Sequence, residues 1–130
     1  MEVESYKAEE LFEWVTGGGV DFTLLDVRNN EEFGRFKVEG PSLSKMINIP
    51  YIEFIEMEDE SVAKVQVPKD ESIRIVCAKE GSARYVGEIL VNNGWKDVWI
   101  LEGGIKPWGN MLAPKLIASN NGYQLYQFIR

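Results

Sequence analysis

Cys77 is the one thiol in a chain of 130 residues that contains no histidine. Every Ser-His and Cys-His dyad is therefore excluded, and any nucleophile must be activated by backbone dipoles and fixed charge. Cys77 comes at the end of the expected strand Ser72-Ile73-Arg74-Ile75-Val76, and a helix is expected to begin near Ser82. The intervening Ala78-Lys79-Glu80-Gly81 is too short to wander and must wrap the sulfur. Successive N–H groups in such a wrap, backed by a helix amino end, make an anion-binding cup. The cup would favour thiolate and lower the cysteine pKa below its free value of roughly 8.5. Lys79 adds a mobile positive charge at the rim, Glu80 opposes it, and Ser82 can donate its hydroxyl or simply cap the helix. A lone cysteine is more often a small buried hydrophobe, but its place at a strand end before a Gly-Ser helix start favours a functional reading.

The elements that position this loop alternate. Ala8, Leu11, Phe12 and Val15 fall on one helical face, stopped by Gly17-Gly18-Gly19. Phe22 to Val27 reads as a buried strand, and Asn29-Asn30-Glu31-Glu32 opens a short helix through Phe36. Met46 to Ile49 is a second strand ended by Pro50, and Tyr51 to about Val65 is helical in pieces. Ser72–Val76 is a strand, 82–92 a helix stopped at Gly94, and Asp97–Leu101 another strand. Gly103-Gly104 then leads to a helix containing Pro107 and Trp108. Strands and helices alternating over short connections predict right-handed crossovers and a mainly parallel sheet covered on both faces. Such sheets place ligands beyond the carboxyl ends of their strands, where Cys77 sits.

Composition narrows the function further. Fourteen Lys and Arg against 21 Asp and Glu give a net charge of −7, which argues against a nucleic-acid backbone or an anionic membrane as partner. One cysteine allows no internal disulfide and leaves a zinc site little to draw on. Apolar runs are too short to span a bilayer, the acidic start is unlike a secretory signal, and the single thiol fits a reducing, cytoplasmic compartment. The acids Glu53, Glu56, Glu58, Asp59 and Glu60 suit a solvated face better than a calcium loop. Trp14, Trp95, Trp99 and Trp108 suit the core and helix docking.

Leu25-Asp26-Val27-Arg28 with Glu32-Phe33, Ile47-Asn48-Ile49-Pro50, Val76-Cys77-Ala78-Lys79-Glu80-Gly81-Ser82-Ala83, and Leu101-Glu102-Gly103-Gly104 with Trp108 occur in this order. Together they resemble the rhodanese (thiosulfate sulfurtransferase-like) domain family, over about Tyr6 to Trp108. The resemblance implies a three-layer α/β domain and no cofactor. It also implies that Cys77 accepts sulfane sulfur as a persulfide, from thiosulfate or a thiol persulfide, and passes it to a thiol or cyanide. Ala78, Lys79, Glu80, Gly81 and Ser82 would hold the substrate; Asp26 and Arg28 match the family's Asp-x-Arg and are expected to support the site. Arg28 is expected to pair with Glu31 or Glu32, and Asp26 to bond backbone nearby. Many relatives carry arginine in the loop after the cysteine, suited to a sulfonate; Ala78, Lys79 and Glu80 stand here instead, which weakens the case for thiosulfate and makes a thiol persulfide such as glutathione persulfide an equal candidate. The usual Gly-His-Ile segment is replaced by Phe36-Lys37-Val38-Glu39.

The domain is expected to occupy residues 1–112 and a tail 113–130, in which Tyr123 to Arg130 reads as an edge strand or an entry to a second domain. The tail is similar to the junction between a rhodanese domain and a metallo-β-lactamase-like persulfide dioxygenase domain, so any iron would lie outside these residues. Two rivals remain. A cysteine phosphatase needs five residues between cysteine and arginine, whereas six separate Cys77 from Arg84. A non-catalytic module used for docking predicts that Cys77 carries no sulfur.

Overall fold

The computed structural model describes residues 2–118, backbone alone for 113–118. Five strands form one parallel sheet: β1 (Glu4–Tyr6), β2 (Phe22–Asp26), β3 (Met46–Asn48), β4 (Ser72–Val76) and β5 (Asp97–Leu101), in spatial order β1-β5-β4-β2-β3. Among the described residues six helices flank it: α1 (Ala8–Gly17), α2 (Asn30–Arg35), α3 (Tyr51–Glu56), α4 (Glu58–Val65), α5 (Glu80–Asn92) and α6 (Ile105–Ala118). This is the α/β, three-layer arrangement with a parallel central sheet that the alternating pattern predicts.

Alternation along each strand divides the core. Leu25, Ile73, Ile75, Val98 and Ile100 face α3, α4 and α5, where Phe54, Val65, Val86 and Leu90 meet them. Leu24, Val76 and Leu101 face the other way, onto Leu11 and Val15 of α1 and Trp108 and Leu112 of α6. Both faces are covered, which is why β2 and β4 are buried at every residue, the polar Thr23, Asp26, Ser72 and Arg74 included.

Three boundaries differ from the sequence expectation. β1 was not expected: its Glu-Ser-Tyr sequence has no strand signature and is held by parallel pairing of Glu4–Tyr6 with Trp99–Leu101. α5 starts at Glu80 with Lys79 as its cap, so Ser82 lies within the first turn and is not the cap. α6 runs through Ala118, past the expected domain end at 112; the proposed strand from Tyr123 to Arg130 lies outside the described residues. Met57, at φ −141° and ψ 65°, separates α3 from α4 and accounts for helical structure in pieces.

Candidate active site

The carboxyl ends of β2, β3 and β4 are tied to one another just beyond the sheet. Val27 N–H donates to the Val76 carbonyl at 2.8 Å, Ile49 N–H to Asp26 at 3.1 Å and Tyr51 N–H to Val27 at 2.8 Å. The Asn48 side-chain amide donates to the Asp26 and Arg28 carbonyls at 3.0 and 2.9 Å. On the other side, Ile105 N–H donates to the Cys77 carbonyl at 2.8 Å, and Gly103 N–H to the Glu80 carboxylate at 3.0 Å. The Cys77 loop is thus anchored by β2 on one flank and by the β5–α6 turn on the other. A Cβ on Gly104 would lie 2.4 Å from the Ala78 carbonyl oxygen, so only glycine allows that turn to approach so closely.

Cys77 is 1% exposed and belongs to the same apolar cluster as Val27, Ile75 and Ala83. The N–H groups of Ala83, Lys79 and Ser82 are directed at its sulfur, and as a thiol Sγ donates to the Lys79 carbonyl. Burial nevertheless pushes the thiol pKa up, the three N–H groups offset this only in part, and the Asp26 carboxylate adds to the rise. The expected depression of the pKa is therefore corrected. The cup forms, but from residues 79, 82 and 83, and desolvation of the buried sulfur outweighs it.

Asp26 and Arg28 form a buried ion pair, with Arg28 Nη2 2.8 Å from Asp26 Oδ2 and Nε 3.1 Å from Oδ1. Arg28 N–H also donates to Asp26 Oδ1 at 2.9 Å. The remaining guanidinium bonds reach the carbonyls of Phe36 at 2.5 Å and Glu32 at 3.5 Å. The expected pairing of Arg28 with the Glu31 or Glu32 carboxylate is not found: Glu31 pairs with Arg35 at 3.1 Å. Arg28 is a strut that binds the β2 end to α2.

A hollow of about 220 Å³ opens over the sulfur, lined by Cys77, Ala78 and Ser82 from the loop and by Val27, Arg28 and Asn29 after β2. Glu32 of α2 and Pro50, Tyr51 and Ile52 at the start of α3 complete it. Of the residues expected to hold substrate, Ala78 and Ser82 line the hollow, while Lys79, Glu80 and Gly81 do not. The Lys79 side chain is exposed. The Glu80 carboxylate turns away to Gly103 N–H and to Arg84 at 3.0 Å, and these bonds lower its pKa. Arg84, the arginine a phosphatase would need, is held there and is not in the wall. Asn29, Glu32 and the Pro50–Ile52 wall were missed as pocket residues. They converge only through strand pairing, although the strand-ending Pro50 was a usable signal for the end of β3.

Comparison with known proteins agrees with this geometry. A family model described as the rhodanese-like domain matches residues 7–111. The chain is 28% identical over 90 residues to the adenylyltransferase and sulfurtransferase UBA4 of Meyerozyma guilliermondii, spanning 68% of this chain but only 20% of that protein. Among solved structures, the rhodanese-like domain of Alr3790 from Anabaena sp. superposes with TM-score 0.66 at 21% identity, over 85% of this chain and 76% of that one. The NAD-dependent persulfide reductase of A. fulgidus gives TM-score 0.56 at 31% identity, over 82% of this chain and 16% of that one. With the strand order, the cysteine loop and the family model in agreement, this chain belongs to the rhodanese-like domain family.

Proposed function

We propose that the chain is a sulfurtransferase that carries sulfane sulfur on Cys77. The observation that supports this most is a sulfur facing three convergent N–H groups at the floor of an open hollow. The Cys77 thiolate attacks the outer sulfur of a donor R–S–SH; a new S–S bond forms, the donor's S–S bond breaks and R–S⁻ leaves with the electron pair. With thiosulfate the leaving group is sulfite. An acceptor thiolate or cyanide then attacks the outer sulfur, and Cys77 departs as thiolate. The N–H groups of Lys79, Ser82 and Ala83 stabilise the anion that forms at both stages, a role that requires no histidine.

The tail's similarity to a junction with a metallo-β-lactamase-like persulfide dioxygenase, and the likeness of this domain to part of a persulfide reductase, both support a setting in persulfide metabolism. The low cysteine content supports a reducing, cytoplasmic compartment. The nearly complete enclosure of the thiol favours one competing reading, a silent docking module. Mass spectrometry after incubation with thiosulfate or glutathione persulfide separates the two. Wild type gains one sulfur atom on Cys77 and Cys77→Ala gains none if sulfur is carried; an unmodified wild type supports the silent module.

A further inference from the structure

Two of the described residues lining the hollow bear charge, Arg28 and Glu32. Arg28 is spent structurally: it is 6% exposed, its charge is balanced by Asp26 at 2.8 Å, and two more of its bonds go to main-chain carbonyls. Glu32 is held through its backbone instead. Its N–H donates to Asn29 Oδ1 at 2.8 Å and its carbonyl accepts from Arg28, while its carboxylate has no ion-pair partner among the described residues. The cations nearest the loop do not compensate, because Lys79 is outside the wall and Arg84 is engaged by Glu80 at 3.0 Å. The rest of the wall is largely hydrocarbon, from Val27, Pro50, Tyr51 and Ile52. Among the described lining residues, Glu32 is therefore the charged residue without an ion-pair partner.

We propose that Glu32 selects sulfur donors by charge, so that this pocket takes a persulfide on a small cationic or neutral carrier in preference to the thiosulfate dianion. The proposal rests on the sulfur-transfer reading and specifies its substrate. A dianion entering the hollow meets the N–H groups around the sulfur but also the Glu32 residue in the wall, with no unpaired cationic side chain among the described lining residues to offset its desolvation. The products add to the discrimination. When the Cys77 thiolate takes the outer sulfur of thiosulfate, the broken S–S bond leaves sulfite, which must depart with two negative charges past Glu32. From cysteamine persulfide the leaving group is a thiolate on a carrier that also bears an ammonium, with no net charge to repel.

The test measures the rate at which one sulfur is added to Cys77 in the full chain, with thiosulfate and with cysteamine persulfide as separate donors. Wild type is expected to load faster from cysteamine persulfide. Raising the salt to about 0.5 M should speed the thiosulfate reaction and slow the other, because both repulsion and attraction are screened. Glu32→Gln should shift the ratio of the two rates toward thiosulfate by about tenfold, and Glu32→Lys further still. A ratio unchanged in both variants, or salt effects of the same sign for both donors, overturns the selection by Glu32 while leaving sulfur transfer intact. Failure of the wild type to load from either donor overturns the sulfur-transfer reading itself. The salt series needs no substitution, so misfolding of a variant cannot obscure the outcome.

Discussion

At the scale of single residues, the site turns on two buried groups whose behaviour depends on what surrounds them. Because enclosure raises the Cys77 pKa, its alkylation by iodoacetamide should rise with pH to a midpoint above that of a free thiol, measured by mass spectrometry across a pH series. The same shift has a consequence for stability. The fold favours the neutral thiol, so this contribution is fully present below the ordinary thiol pKa. It is lost as pH climbs from there through the raised folded value. Unfolding midpoints above neutrality should therefore fall less steeply with pH in Cys77→Ala than in wild type. The Asp26–Arg28 pair behaves differently, since neither side chain has solvent to replace its partner. Asp26→Asn should destabilise the fold by about 3–5 kcal/mol in urea titrations, the cost of leaving a buried guanidinium uncompensated. The positions of Cys77, Asp26 and Arg28 were all legible in the sequence. The direction of the thiol pKa shift was not, because the loop advertises its N–H groups whereas the depth to which the sulfur sinks is set by the apolar cluster that Cys77 joins.

At the scale of elements, the loop between β4 and α5 is held by the turn between β5 and α6, a contact between segments far apart in the chain. Gly104 adopts φ +74° with the Ala78 carbonyl where its side chain would be, and Glu80 accepts the N–H of Gly103. Gly104→Ala should cost about 1–3 kcal/mol through strained backbone alone, and should also displace Ala78 and weaken the N–H cup. Persulfide formation per folded molecule should fall, as read by mass spectrometry against the folded fraction from circular dichroism. Gly40→Ala is the informative contrast: its Cβ would collide with the Val15 carbonyl at 2.4 Å, and neither residue lines the hollow. It should destabilise while leaving loading of the folded molecules unchanged. Strands β2, β4 and β5 could be read from their apolar runs, and the Gly103-Gly104 turn from its glycines. β1 could not, since three residues with two exposed and only Tyr6 buried become a strand only when β5 supplies hydrogen bonds. The far wall of the hollow was hidden for the same reason: Glu32 and Ile52 meet Cys77 only after β2 has paired with β3 on one edge and β4 on the other.

At the scale of the whole molecule, a sheet buried on both faces has two apolar layers that share one backbone. Adjacent residues of β4 serve opposite layers: Ile75 packs toward α3 and α5, whereas Val76 packs toward α1 and α6. The same strand delivers Cys77, so both layers bear on where the sulfur sits. Arg74 makes the coupling tighter. Its buried guanidinium lies 4.1 Å from the ring of Trp14 on α1 and 4.8 Å from that of Trp99 on β5, fastening a helix to the sheet by a planar cation stacked on aromatic faces. The residues of the central strands were assigned to a buried sheet from short runs bounded by turn residues and from their alternation with helices, but which helices cover which face depends on crossover connections that no local pattern encodes. If the layers are one cooperative unit, Ile75→Ala and Leu24→Ala, on opposite faces, should each lower stability by about 2–5 kcal/mol. Each should shift the urea midpoint with little change in slope. Native-state hydrogen exchange should then show α1 and α5 losing protection together in either variant. Separate loss, with α5 weakened by Ile75→Ala and α1 spared, would mean that the face carrying the cysteine opens by itself, and loading of Cys77 would then track that local opening and not global stability.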